Sequence, residues 1–309
     1  VEAAGVNYAD GIIRMGLYES AKRLHGYPIT PGFEVAGRIA ARGPGVDGWD
    51  IGDPVIGLTL FNGYACQLCL EVDGVFPVPR GLDMAEAATL PTAFLTAWWM
   101  IHRQLHPEPD QNWLVHSAAG GVGSAILQLG RLAGARTIGV VGGPHKVEHA
   151  RRMGAAEVID KSAEPLWQRA GALAPDGYHA IFDANGVATL AGSYDHLAPT
   201  GRLLVYGFHT MLPKNGRLNW LKLARDWLRT PRFNPLRMTR DNRSVLAANL
   251  SFLQSHATSL RAGMLWLLER FERDELTPLP VETWPLEEAA EAQRRIESGT
   301  TVGKLALIP

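Results

Sequence analysis

Cysteine is almost missing: the 309 residues hold only Cys66 and Cys69. Two thiols cannot build a disulfide framework, so a reducing compartment, the cytoplasm, is expected. A surplus of one charge is missing too, since 30 basic side chains face 31 acidic ones for a net charge of −1. That balance argues against nucleic acid as the main partner. No secretory leader pattern opens the chain. Val1-Glu2-Ala3-Ala4-Gly5 instead reads as a strand already under way, so further chain is expected upstream. The longest stretch free of Asp, Glu, Lys and Arg, residues 111–130, approaches the ~20 residues of a membrane span. It carries His116, Ser117, Gly120, Gly121, Gly123 and Gln128 and reads as strand, tight loop and helix.

What is present is an ordinary globular composition, 46% apolar with 33 glycines, long enough for about two domains. Residues 33–40, 53–58 and 64–72 read as strands between Gly-Pro and Asp-Gly turns. A helix is predicted over 84–105, capped by Asp83 with Glu86 completing a capping box and broken or kinked by Pro91. Short strands at 113–116, 137–141, 156–159, 180–182 and 202–206 then alternate with helices, which implies parallel β-α-β units with right-handed crossovers. Residues 211–243 interrupt that alternation. They hold Lys214, Arg217, Lys222, Arg225, Arg229, Arg232, Arg237, Arg240 and Arg243 against Asp226 and Asp241, with an apolar stripe of Trp220, Leu221, Ala224, Trp227 and Leu228. The stripe is expected to pack inward as a lid or dimer contact; contact of 214–243 with an anionic membrane surface is the alternative. The tail adds a helix, a Pro-punctuated strand near 279–284, a second helix and a final strand at 304–308.

The strongest motif is Val115-His116-Ser117-Ala118-Ala119-Gly120-Gly121-Val122-Gly123. It follows a predicted strand and opens a periodic helix, the context a dinucleotide loop requires. Its middle glycine lets backbone approach a diphosphate, its last lets helix pack on strand, and the helix N-terminus faces the phosphates. The next strand ends Val141-Gly142-Gly143-Pro144-His145-Lys146, with no acid to bond a ribose hydroxyl. An open Gly-Gly turn with Lys146, and Lys161 after the following strand, suits an added phosphate, so NADPH is expected. Cys66 and Cys69 form C-x-x-C, but a strand would turn them to opposite faces and no second pair completes four ligands, so no metal is expected.

Ala4-Gly5-Val6-Asn7, Arg14-Met15-Gly16-Leu17-Tyr18, Pro31 to Gly37, Gly52-Asp53-Pro54-Val55, His116 to Gly123 and Gly303-Lys304-Leu305 together resemble the medium-chain dehydrogenase/reductase superfamily. Within it, they resemble the zinc-independent quinone oxidoreductase group that includes zeta-crystallin. Phe233-Asn234-Pro235-Leu236 and Leu260-Arg261-Ala262-Gly263 look like the branch of synaptic vesicle amine-transport protein homologues, which has also been associated with membranes and phospholipids. The resemblance implies an α/β architecture: a doubly wound parallel NADP-binding domain over 93–252, and a GroES-like β-rich catalytic domain from 1–92 and 253–309.

It further implies a homodimer reducing a small quinone or α,β-unsaturated carbonyl, with Asn7 beside the nicotinamide and Tyr18 at the pocket mouth as a proton donor. Several relatives carry a tyrosine where this chain has Ile12. Where zinc-dependent relatives have Gly-His-Glu, this chain has Gly32-Phe33-Glu34. Cofactor contacts are implied for Asn7, Thr96, Ala119, Gly120, Gly121, Val122, Gly123, Gly142, Lys146, Lys161, Asn185, Gly207, Phe208 and Lys304. The alternative function is a membrane-associated or lipid-handling protein that keeps the fold.

Overall fold

Small residues set the first strand: β1 (Ala3–Val6) is Ala-Ala-Gly-Val and wholly buried. A Cβ on Gly5 would lie 2.4 Å from Glu34 Oε1 and 2.7 Å from the Ala88 carbonyl, so only glycine lets those groups approach. The computed structural model describes residues 1–211 and 219–309; Lys214 and Arg217 of the basic segment lie outside the described residues.

Two short helices, α1 (Tyr8–Arg14) and α2 (Glu19–Leu24), come next. They are too short to leave a readable period in the sequence. Strands β2 (Glu34–Arg38), β3 (Pro54–Leu58) and β4 (Val75–Pro77) follow. Residues 64–72, expected as a strand, are irregular. Their start bonds instead to the preceding turn, with Gly63 N–H to the Gly32 carbonyl and Tyr64 N–H to the Pro31 carbonyl. Tyr64 and Leu68 pack on Ala4, Val6 and Val35, while Cys66 and Cys69 are exposed.

The predicted capping box forms at α3 (Met84–Ala88): Glu86 N–H donates to Asp83 at 2.8 Å and Asp83 N–H to Glu86 at 3.1 Å. The break falls at Thr89, and Pro91 becomes the second residue of α4 (Leu90–Trp98), where a missing N–H costs nothing.

The chain divides into two units, Val1–Leu95 with Leu250–Pro309, and Thr96–Asn249. The second runs β5 (Asn112–Val115), α5 (Gly121–Leu132), β6 (Arg136–Val141), α6 (Val147–Arg152), β7 (Glu157–Asp160), α7 (Leu166–Leu173), β8 (Tyr178–Asp183), α8 (Leu190–Asp195) and β9 (Leu197–Val205). Then come α9 (Trp220–Arg229), α10 (Pro235–Asp241) and β10 (Ser244–Ala247). Every pairing is parallel and the order is β10-β9-β8-β5-β6-β7, the doubly wound order that reverses between β5 and β8. Its core, including Leu114, Ile138, Ile159, Ile181 and Leu203, is fully buried.

The chain then returns to the first unit through α11 (Ala257–Glu272), β11 (Val281–Pro285), α12 (Ala289–Glu297) and β12 (Lys304–Ile308). The first unit's sheet is ordered β11-β12-β1-β2-β3-β4. It is antiparallel except for the β11–β12 pair, and Gly5 lies opposite Ala306.

The α9 stripe does not pack against its own chain. Trp220, Leu221, Trp227 and Leu228 are 63–85% exposed, and Asp226 is the buried residue. Asp226 is held by Lys222 Nζ at 2.7 Å and by the Arg225 guanidinium, so the polar side of this helix is the one that packs. Among the described residues no helix is long and apolar enough to cross a membrane.

Candidate functional site

In the second unit the turn after β5 is built by local sterics. Ser117 sits at φ 55°, left-handed for a non-glycine residue. A Cβ on Gly123 would lie 2.3 Å from the Ser117 carbonyl oxygen, whereas one on Gly120 meets only that oxygen, at 3.4 Å. Gly123 is therefore sterically required, and Gly120 keeps one side of the turn open. Gly120 caps α5, whose first residues are Gly121, Val122 and Gly123; their amides have no carbonyl ahead of them in the helix. Ala118 and Ala119 are buried beneath the turn. The turn stands at the reversal point of the sheet, where β5 and β8 both end.

Asp183, at the end of β8, organises the facing loop. Its carboxylate accepts from Asn185 N–H (2.8 Å), Gly186 N–H (3.2 Å), the Thr189 hydroxyl (2.7 Å) and the Ser193 hydroxyl (2.8 Å). His116 reaches Ser193 Oγ at 3.0 Å, and burial holds its pKa low, so this histidine is neutral. Because Ser193 donates to Asp183, His116 donates to Ser193; it braces the loop. His179 likewise has a structural partner, the Asn112 N–H.

Ser117 Oγ donates to Asn185 Oδ1 at 3.2 Å. That leaves Asn185 Nδ2, buried and with no partner among the described residues, as an amide donor at the turn. A Cβ on Gly186 (φ 84°) would lie 2.8 Å from the Phe208 ring, and one on Gly207 would lie 2.9 Å from the Ala184 carbonyl. The loops after β8 and β9 are therefore in close contact.

At the end of β6, Gly142 is exposed, and a Cβ there would meet only Lys161 Cε, at 3.6 Å. The Lys161 N–H bonds to the Val141 carbonyl, bringing that lysine to the Gly142 turn, and Lys146 follows in the same turn. No acid lies between Arg136 and Lys146. Thr96 is the half-buried first residue of the second unit, within α4.

In the first unit a charged network surrounds Asn7, which occupies the N-cap position of α1. Asn7 Nδ2 donates to Glu34 Oε1 at 2.8 Å. Lys304 Nζ donates to Asn7 Oδ1 (2.6 Å), Glu34 Oε1 (2.8 Å) and the Val6 carbonyl (3.2 Å). Glu34 Oε2 takes the Thr92 N–H at 2.6 Å. Glu34 and Lys304 are almost fully buried.

Lys304, expected to contact the cofactor, has Val6, Asn7 and Glu34 as its partners in this network. An ammonium has three donors, and all three are used within this network. Beside it, Asp10 is wholly buried and accepts from Asn7 N–H (2.7 Å), Gly32 N–H (3.2 Å) and the Tyr64 hydroxyl (2.9 Å). Burial raises its pKa to about 7 despite those donors. Tyr18 is half-buried, edge-on to Phe33, with its hydroxyl 3.0 Å from Ser251 Oγ. Sequence reasoning missed Glu34 and Asp183 as organisers. The visible signal for the first was an acid entering a wholly apolar, glycine-containing strand region.

Comparison with known proteins gives two family matches: residues 1–98 to the alcohol dehydrogenase GroES-like domain, and residues 121–252 to a zinc-binding dehydrogenase model. The synaptic vesicle membrane protein VAT-1 homolog of Rattus norvegicus is 30% identical over 309 residues, covering 100% of this chain and 76% of that protein. The Danio rerio homolog is 30% identical over 99% of this chain, which spans 63% of that relative's length. Among solved structures, Escherichia coli quinone oxidoreductase complexed with NADPH superposes with TM-score 0.85 at 25% identity, covering 100% of this chain and 90% of that one. CurK enoyl reductase superposes with TM-score 0.83 at 26% identity, covering 100% and 89%.

A zinc ion, which the name of one family model implies, does not fit the residues present. Phe33 offers no ligand atom, and Glu34 is already paired with the buried Lys304 ammonium, which would repel a cation. No group of three or more His, Cys, Asp or Glu among the described residues is placed to hold a metal. NADPH is different: the open glycine turn and the unpaired Asn185 amide fit a diphosphate, and the Gly142 turn with Lys161 fits a further phosphate.

Proposed function

This chain belongs to the medium-chain dehydrogenase/reductase superfamily of oxidoreductases, in its branch of VAT-1 homologues, and from that premise we propose that it is a zinc-independent, NADPH-dependent reductase of quinones or α,β-unsaturated carbonyls. The observation that carries the proposal is the turn of residues 117–123, where backbone and glycine sterics leave room for two linked phosphates at a helix N-terminus. Bound NADPH supplies a hydride. The remaining work belongs to the protein. Gly120 to Gly123 and Asn185 bind the diphosphate by N–H donation, while Lys146 and Lys161 favour the extra phosphate of NADPH. Thr96, Gly207 and Phe208 complete the cofactor contacts.

Hydride arriving at an electron-poor carbon sends negative charge to the conjugated oxygen, so no Lewis acid is required. A donor aimed at that oxygen is worth about 3 kcal/mol, and the Asn7 amide is that donor. Tyr18, or water, returns the proton. NADPH oxidation is expected in the presence of a small quinone, with a fluorescence titration showing tighter binding of NADPH than NADH. No quinone- or enone-dependent turnover, with no thermal shift on adding NADPH, removes the reading. The same reading takes the protein to be a cytoplasmic homodimer.

A second reading draws on the exposed face of α9. Trp220, Leu221, Trp227 and Leu228, beside Arg225, Arg229 and Arg232, have the composition of a peripheral contact with an anionic membrane surface. Co-flotation with anionic liposomes that collapses when those arginines are neutralised supports it; absence of co-flotation at low salt overturns it.

A further inference from the structure

A primary amide has two nearly isosteric ends of opposite chemistry, one accepting and one donating. In Asn7 the choice between them is made by charge. Lys304 Nζ has protons and no lone pair, so the amide atom 2.6 Å from it is the oxygen. The Glu34 carboxylate then takes one Nδ2 proton at 2.8 Å. A flip of the amide would set NH2 against the ammonium and oxygen against the carboxylate, two repulsive contacts in a buried site.

Both partners are themselves fixed. Glu34 is clamped by the Thr92 N–H and occupies space that only Gly5 leaves open. Lys304 follows Gly303, which has φ 72° and whose Cβ would lie 2.2 Å from the Pro280 carbonyl.

We infer that Lys304 and Glu34 are positioning residues that act through Asn7, locking its amide so that the oxygen is held inside the protein and the second Nδ2 proton is what Asn7 offers to a ligand oxygen. The inference rests on the reductase reading for its consequence in turnover, but the lock itself is a property of the protein without nucleotide. It also sharpens the substrate class. A reducible compound without an acceptor oxygen conjugated to the accepting carbon gains nothing from Asn7.

Two paired variants test it. Removing one charge alone would strand the other in a buried site, so both are replaced together. Glu34→Gln with Lys304→Met removes both charges and the donor to Asn7 Oδ1, leaving a neutral amide at position 34 that can face either end of Asn7. Glu34→Gln with Lys304→Gln keeps one donor and one acceptor, and serves as rescue and fold control. In 15N spectra of the nucleotide-free protein, the Asn7 side-chain amide is identified by its loss in Asn7→Ala. Its exchange with water should be slow in the native chain, at least about tenfold faster in the Gln/Met pair, and intermediate in the Gln/Gln pair.

With 1,4-benzoquinone, the Gln/Met pair should lower kcat by about 100-fold while NADPH affinity changes by less than about threefold. In an Asn7→Ala background the same pair should cost less than about twofold more, since the residues act as one unit. Unchanged amide exchange in the Gln/Met pair, or losses that multiply with Asn7→Ala, overturn the inference. A native protein that reduces no quinone or enone removes the reductase reading, and amide exchange still decides the lock.

Discussion

Two amide side chains, one in each unit, are fixed by opposite means. In the first unit Asn7 is held by an ammonium and a carboxylate, both buried and bonded to each other. In the second, Asn185 is held by one neutral hydroxyl on its oxygen, and its nitrogen has no partner among the described residues. The rest of that unit's cradle is backbone shaped by glycine. Charge fixes a group firmly at the cost of desolvation. Backbone and hydroxyls cost less and leave donors available for whatever binds. The contrast suits a division of labour in which the first unit presents one donor in one direction and the second surrounds a large polyanion.

Substituting one tightly packed glycine beside each unit's amide breaks the comparison most sharply. Gly123→Val should reduce NADPH affinity by more than about 100-fold, because the turn opens when its Cβ meets the Ser117 carbonyl. Gly5→Ala, which displaces Glu34, should leave affinity within about threefold and depress kcat by more than about tenfold. Fluorescence titration and steady-state kinetics on both variants check the pair. Equal effects on binding would erase the distinction between the units.

Gly142→Asp comes next. An acid at the end of β6 should shift the preference from NADPH toward NADH by about tenfold or more, through repulsion of the extra phosphate and bonding to the ribose hydroxyls. Asn185→Ala should weaken NADPH binding by about tenfold, the lower end for one charge-assisted bond.

The smallest expected effect is on stability against pH, and its sign differs between the units. Asp10, in the first, has a folded pKa raised by burial to about 7. It binds more protons folded than unfolded between about pH 4 and 7, so its contribution is present below that window and lost as pH rises through it. His149, in the second, has a folded pKa lowered to about 4, chiefly by burial and then by Arg152. Its contribution is present above about pH 6.5 and lost as pH falls toward 4. Asp10→Asn should therefore flatten a fall in melting temperature with rising pH, and His149→Gln a rise, by a few degrees each. Thermal denaturation from pH 4 to 8 measures both.

The second unit was largely legible in the sequence because its signals are local. A glycine turn after a buried strand, the spacing of Val122, Ala125, Ile126 and Leu129, and a strand ending in Gly142-Gly143 are each read within about a dozen residues. Edge strand β10 escaped notice because its four residues carry no readable period. The first unit resisted for the opposite reason. Its network joins residues 7, 34, 92 and 304, and no window contains them. Lys304 carried a family motif, yet the motif could not say that its protons are spent internally. Periodicity shows that α9 has two faces and leaves open which one packs within the chain; there it is the side of Asp226, with Lys222 and Arg225.

Lys304 lies on β12, which is hydrogen-bonded between β1 and β11 inside the first unit's sheet. During synthesis, residues 96–249 can collapse around local β-α-β pairings as soon as they emerge. The first ninety residues must wait, because their sheet lacks an interior strand and Asn7 lacks its ammonium until residue 304 has left the ribosome. Half of this protein therefore folds late for topological reasons, and a nascent chain stalled before β12 should hold nucleotide well before it can turn anything over.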